Sequence, residues 1–556
     1  MRKEKNLSLW NVADATDEIV KTVQDLQEGD TLLLGGNELH FYPEKGLQKE
    51  YWISNNAGGM KSIVFPLLGK KNITIDGQGA KLIFHGEVLP FVVDQCENIT
   101  IKNLSIDYAE PMCFAARITD SGEDFVEMEY DPAMYHCDVQ DQALRFYGEN
   151  WENINNTVLV NEFDGETKGP VPQTPTYVAC FSGRETGGPN QDLYRYVTPT
   201  KTGENRLRLV GKLGYRHQVG KYWVCTHRRR EHPGVFCNDS RNIQITDVKL
   251  VHTRAMGVIC QLCENITLNG VVAVPGEGRI LSTNADATHF VNCTGLIHLK
   301  NCRLESMMDD AVNVHGIYMP IAEKLSDCSL RLRFGHSEQR GVNIFKIGDK
   351  IRLVNHETFE SVCNLTVKNS RMLSSESILL ETEEVLPTYI PDGYVVENHF
   401  RMPEVHIENC RTGYNRPRGF LLATNRDALV ENCTFYNLSC AIVLTGDARS
   451  WFESGAGGKV ILRNNCFDNA AYAGGTVIRT KNGIQRAVGQ TYYDSLIVEN
   501  NHFRTNGKRF LALSYVGNVV FRGNTFCQDD SLRGGRTLGE DGFDLRECGI
   551  VEIEKI

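Results

Sequence analysis

Long hydrophobic runs are missing from this sequence: its 556 residues contain no stretch of about 18 apolar residues, the length a helix needs to cross a bilayer. No membrane partner is expected. The opening MRKEKNLSLW is basic, but Asp14, Asp17 and Glu18 stand where a secretory leader would be apolar. No signal peptide is visible, so the chain either stays inside or has had a leader removed, and its location is left open. Helix-period patterning is scarce apart from about Ala13–Leu26. The 18 cysteines are too thinly spread for a disulfide scaffold and form no two C-x-x-C pairs at zinc spacing, so reduced, structural thiols are expected.

Positive charge is in deficit. The 59 Lys and Arg against 70 Asp and Glu leave a net charge of −11, which disfavours nucleic acid and would repel a polyanionic sugar. A neutral substrate fits better. The one dense basic run, Arg228–Arg230, has little aromatic interleaving and reads as a solvated or ion-paired surface.

What the chain does contain is a repeat. KNITIDG from Lys71, ENITIKN from Glu97, RNIQITD from Arg241 and ENITLNG from Glu264 share one pattern, apolar-polar-apolar and then a turn residue. The pattern continues from Leu296, Glu404, Ala428, Lys459, Ser495 and Asn518. The shortest turn-to-turn interval is 23 residues, as from Asp247 to Gly270 and from Asn409 to Asn432. Short alternating strands closed by Asn or Gly, residues that adopt left-handed φ at little cost, predict an all-β solenoid. The expected fold is a right-handed parallel β-helix with coils of 23 residues.

Cys302, Cys410, Cys433 and Cys466 follow such turns and are expected to stack inward. Asn72, Asn98, Asn265 and Asn432 lie in Asn-x-Ser/Thr triplets, which here read as a turn ladder rather than glycan sites. Two gaps interrupt the period, and phrases such as NRLRLVGK and GDKIRLVN make them antiparallel, barrel-like inserts. The expected organisation is an N-terminal cap with the first coils at 1–108 and an insert at 109–235. Further coils follow at 236–316, a second insert at 317–402 and the C-terminal coils at 403–556.

The chemistry concentrates in STNADATHF (Ser282–Phe290) and MMDDAVNVHG (Met307–Gly316). Asp286 and Asp309 are 23 residues apart, which predicts that they stack on adjacent rungs. Rungs are about 4.8 Å apart and side chains can splay further, so the paired carboxyls fall within the range in which one can protonate a leaving group while another activates water. Eight residues past the turn, the same column reaches Ala255 and Pro417, so Arg254, Arg416 and Arg418 flank it. Val312 and Val314 have core parity, leaving Asp309, Asn313 and His315 on the outward face and requiring a bend at Asp310. A solvated corner is the ordinary meaning of an Asp pair, and a structural hydrogen bond that of His315, His289 or His252. Three aspartates at one-coil spacing among Asn, His and Arg are less ordinary. Trp451 could stack on a sugar face, with plain packing as the alternative.

The Asn284-Ala285-Asp286 segment and the Asp309-Asp310-x-Val-Asn313-x-His315-Gly segment, together with the β inserts, resemble the α-1,3-galactosidases of glycoside hydrolase family 110 over nearly the whole chain. The resemblance implies inverting, metal-free and cofactor-free removal of terminal α-1,3-linked galactose from blood group B-type or linear α-Gal glycans. It implies Asp309 as general acid, with Asp286 and Asp310 holding the water. Arg254, Asn284, Asn313, His315, Arg416, Arg418 and Trp451 would then bind the sugar.

A second resemblance, to polygalacturonases, fails at several points. Asn284-Ala285-Asp286 replaces N-T-D, His315-Gly316 lies too close to the Asp pair, and Arg479-Thr480-Lys481 is the only R-x-K, far downstream. A β-helix lyase would need a Ca²⁺ cluster or a basic catalyst against an acidic sugar. A noncatalytic adhesin would use the column only as a groove. The open edges of a β-helix also leave room for a homodimer.

Overall fold

The structure, a computed structural model, describes residues 4–6, 12–181, 191–227, 230–455, 457–484, 491–532 and 542–554. All ten copies of the repeated phrase fall on one long parallel sheet. It runs from Lys71–Phe84 through Glu97–Tyr108, Arg241–Leu250 and Glu264–Asn269 to Val516–Arg522. Ile243 pairs with Ile266, which makes the coil 23 residues there. A second parallel sheet carries Leu89–Asp94, Val235–Asn238, Val258–Gln261 and Thr288–Val291, then the start of Val312–Ser326, then Phe420–Leu422. Short strands such as Arg303–Glu305 and Arg411–Gly413 form a third face. The fold is a parallel β-helix. Its interior is a continuous apolar stack, in which the rings of Phe435, Phe467 and Phe503 follow one another at 5.1 and 4.8 Å.

The turn asparagines behave as a ladder. Asn72, Asn98, Asn242 and Asn265 all have positive φ; the side-chain amides of Asn98, Asn242 and Asn265 each donate to the side-chain oxygen of the asparagine on the preceding coil, at 2.8 Å from Asn98 to Asn72 and from Asn242 to Asn98, and Asn72 donates to Glu28 at 2.7 Å. The thiol stack needs one correction. Cys302, Cys410 and Cys433 stack inward, the amides of the first two donating to the next sulfur at 3.4 Å. The column then continues through Asn465, Asn501 and Asn524. Cys466 stands one residue later and is only half-buried, because a one-residue step in a strand reverses the face. None of the 18 cysteines, all among the described residues, is in a disulfide. One C-x-x-C, Cys260–Cys263, escapes the sequence reading; both thiols are buried in the core.

Helix Thr16–Gln24 buries Ile19 and Val23 in the same core at the N-terminal end. The first insert is an eight-stranded sheet, mostly antiparallel, with its own core around Phe114, Met128 and Trp223. The second has antiparallel strands such as Ser329–Arg333, Lys350–Asn355 and Ser377–Thr382 around Leu330, Leu353 and Leu380. Strand Val312–Ser326 belongs to both bodies, since its start is parallel within the helix and its end pairs antiparallel with Ser329–Arg333. The Asp309–Asp310 pair immediately precedes this strand.

Candidate active site

A pocket of about 370 Å³ opens on the second sheet, and Asp286, Asp309 and Asp310 all line it. Register explains why they meet. Thr288 pairs with Val312 and Val312 with Phe420, so the residues two places earlier, Asp286, Asp310 and Arg418, share one line. The expected stacking of Asp286 on Asp309 is thereby corrected: this coil spans 24 residues, and the Ala287 amide donates to the Asp310 carbonyl at 2.9 Å. Asp309 sits beside the line, where the chain bends. Oxygens of the three carboxyls lie within 4.8 Å of one another.

Three guanidiniums surround them. Arg418 forks onto Asp310, Nε to Oδ1 and Nη2 to Oδ2, both at 2.7 Å. Arg230 donates to Asp309, and Arg416 and Arg418 approach Asp309 at 3.8 and 3.7 Å. Asp286 has no such fork. Its Oδ2 lies 2.5 Å from His289 Nδ1, and its Oδ1 accepts from the Asp310 amide at 3.3 Å.

The charges follow from these contacts. Burial, with Asp309 adding to it, pushes Asp286 up to about 7. Burial raises Asp309 too, but Arg230, Arg416 and Arg418 outweigh it and hold this carboxyl below its usual range. Burial pushes Asp310 up as well, to about 8; both of its oxygens nonetheless accept from Arg418, a charge-assisted fork that favours the carboxylate and that Asp286 lacks. The proton of the trio therefore rests on Asp286. Burial also lowers His289 to about 4.

Of the other residues the sequence singles out, Asn313, Arg416, Arg418 and Trp451 line the pocket. Asn313 is buried and its Oδ1 has no hydrogen-bond partner among the described residues, an unmet acceptor of the kind a sugar hydroxyl satisfies. Arg254, Asn284 and His315 do not line it. Arg254 bonds the Gly86 carbonyl and lies 3.8 Å from Glu87, while Asn284 donates to the Met112 carbonyl at 2.9 Å. His315 is buried behind His289.

The structure adds Arg230, His289, Glu453, Asp447 and Lys481 to the lining. Arg230 is the last residue of the basic run read as surface; the backbone bond from Ala57 to its carbonyl, 2.7 Å, is a contact that local sequence cannot show. Asp447 and Glu453 flank Trp451 in one loop, a signal that was available. A cation could in principle bind between three carboxylates, but the three arginines already supply the balancing charge. The other donor cluster among the described residues, His298, His406 and Glu408, lies outside the pocket.

Two family models match the inserts, GLAA-B beta-barrel domain I over residues 114–222 and GLAA-B beta-barrel domain II over 329–396. The chain is 31% identical over 534 residues to alpha-1,3-galactosidase B of Bacteroides thetaiotaomicron, covering 94% of this chain and 85% of that protein. The chain belongs to the α-1,3-galactosidase family. Alpha-1,3-galactosidase A of Shewanella woodyi is also 31% identical, over 89% of this chain and 80% of that one, so identity marks the α-1,3-galactosidase family and not the A or B type. Membership in this glycoside hydrolase family sets aside the polygalacturonase, lyase and adhesin readings. Among solved structures, the Family 28 exopolygalacturonase of Yersinia enterocolitica aligns at 10% identity with a TM-score of 0.40, over 100% of this chain and 79% of that one.

Proposed function

We propose that this pocket removes a terminal α-1,3-linked galactose from blood group B-type or linear α-Gal glycans, with inversion and without a metal. The observation that carries the reading is the meeting of Asp286, Asp309 and Asp310 with Arg230, Arg416 and Arg418 in a pocket of about 370 Å³.

Asp309, the most exposed of the three at 9%, donates its proton to the glycosidic oxygen. For its carboxylate neighbours to keep it protonated Arg230 must move, because in this arrangement the guanidinium holds it ionised. Displacement of Arg230 by the sugar removes the largest of the three arginine contributions, so that burial and the neighbouring carboxyls raise it against Arg416 and Arg418 alone. Asp286 and Asp310 position the attacking water.

The compact trio also favours a second reading. Inverting pairs commonly stand about 6.5–9.5 Å apart and retaining pairs about 5–5.5 Å, and these oxygens are within 4.8 Å. Each oxygen of Asp286 and Asp310 accepts one hydrogen bond, from His289, the Asp310 amide or Arg418, and keeps a second lone pair for water; the anomer first released decides between the two readings. Galactose release from Galα1-3Gal by the wild type and its loss in Asp309→Asn test the proposal; release by Asp309→Asn at the wild-type rate would refute the acid assignment.

A further inference from the structure

The hydrogen count behind Asp286 is fixed by geometry. His315 Nδ1 lies 2.7 Å from the Gly316 carbonyl oxygen, which can only accept, so Nδ1 carries a hydrogen. The Nε2 atoms of His289 and His315, 2.9 Å apart, share one hydrogen, and Asp286 Oδ2 shares another with His289 Nδ1 at 2.5 Å. Two arrangements have this count and the same net charge. In one, Asp286 is protonated and both rings are neutral. In the other, Asp286 is ionised, His289 is the opposite neutral tautomer and His315 is an imidazolium. Each shared hydrogen need only cross its own contact to interconvert them. All three side chains are buried from solvent, and Glu453 Oε1, 3.6 Å from His315 Nε2, lies where it would stabilise the imidazolium.

We propose that Asp286, His289 and His315 form a proton relay that converts the resting, protonated Asp286 into the ionised carboxylate that the attacking water requires, with the positive charge held on His315 beside Glu453. The proposal rests on the glycosidase reading above. In the hydrolytic step the water oxygen bonds C1 as the glycosidic C1–O bond breaks, and Asp309 gives its proton to the leaving oxygen. Asp309 takes up this proton from solvent when the sugar displaces Arg230; water's proton goes to Asp286 and then to neighbouring Asp309, which leaves Asp309 protonated and Asp286 ionised as they stood before the step, and Asp309 returns its proton to solvent when Arg230 comes back.

Asp309, Asp310, Glu453, Arg230 and Arg418 all face Asp286, and the two guanidiniums favour its ionised form once the relay shifts. Burial, which pushes Asp286 up and both histidines down, sets the neutral form as the resting one. His289 and His315 are thus positioning residues for the base, in contrast to rings that merely pack behind it.

His315→Gln tests this, because a glutamine amide can still hydrogen-bond His289 but cannot take up a proton. The expected result is a kcat lowered by about a hundredfold with KM little changed. The acidic limb of kcat should also move up towards about 7, since Asp286 then ionises only by losing its proton to solvent. Wild-type kcat with an unmoved acidic limb overturns the relay. Neutron diffraction of the wild type tests it without a variant: hydrogen on His315 Nδ1 and a single hydrogen between the rings are expected, and a bare His315 Nδ1 overturns it. A wild type that releases no galactose would refute the function, while the neutron result would still decide the relay.

Discussion

Arg418 grips Asp310 through two parallel hydrogen bonds of 2.7 Å, and the parallel register of Val312 with Phe420 sets the two residues opposite each other. This fork is the fixed point of the site, because it holds one buried aspartate ionised while its neighbour Asp286 keeps a proton.

Removing the fork should be severe. Arg418→Ala leaves a buried carboxylate unpaired, which typically costs about 3–5 kcal/mol. A lowered melting temperature and an activity loss of more than about a hundredfold are expected. Arg418→Lys keeps the charge but not the planar fork and should fall between the two. Thermal unfolding and kcat/KM measured on both variants check the order.

The protonated Asp286 predicts a pH-dependent stability. Its folded pKa, about 7, lies above the ordinary aspartate value of 3.8. Its stabilising contribution is therefore complete below the unfolded pKa and is lost as pH rises through about 7. Asp286→Asn cannot ionise, so it should be more stable than the wild type at pH 8, by on the order of 2 kcal/mol, and no more stable at pH 4. Melting curves at the two pH values decide it; a gain at pH 4 equal to that at pH 8 would contradict the assignment.

Trp451 is 37% exposed on the pocket wall and lies against His336 at 4.3 Å between ring centroids. If it stacks on the sugar, Trp451→Ala should raise KM about three- to tenfold with less effect on kcat. An unchanged KM would reduce the ring to packing.

Three arginines already outweigh the two ionised aspartates of the trio, so EDTA is expected to leave the rate unchanged. A rate that falls with EDTA and returns with Ca²⁺ or Zn²⁺ would mean that the carboxyls hold an ion.

The repeated turns made the fold legible, because asparagine, glycine and period-2 alternation are local signals of a coil. The aspartate trio was legible for the same reason, since one-coil spacing converts sequence distance into contact. The register was not: the coil through Asp286 spans 24 residues and not 23, and a shift of one residue decides whether Asp309 or Asp310 faces Asp286. The same one-residue error put Cys466 in the thiol column where Asn465 stands. Arg230 was invisible as a site residue, because its place depends on a backbone bond to Ala57 far away in the chain. Arg254 sits one coil before Asp286 and three before Arg418, and there its guanidinium turns to Gly86.

The central claim, water attack from a compact aspartate trio, is tested most directly by proton NMR of the galactose first released from Galα1-3Gal. The account predicts β-galactose as the initial anomer, followed by slow mutarotation, and no release by Asp309→Asn. Initial α-galactose would contradict it, placing a covalent bond to one of the buried aspartates on the reaction path.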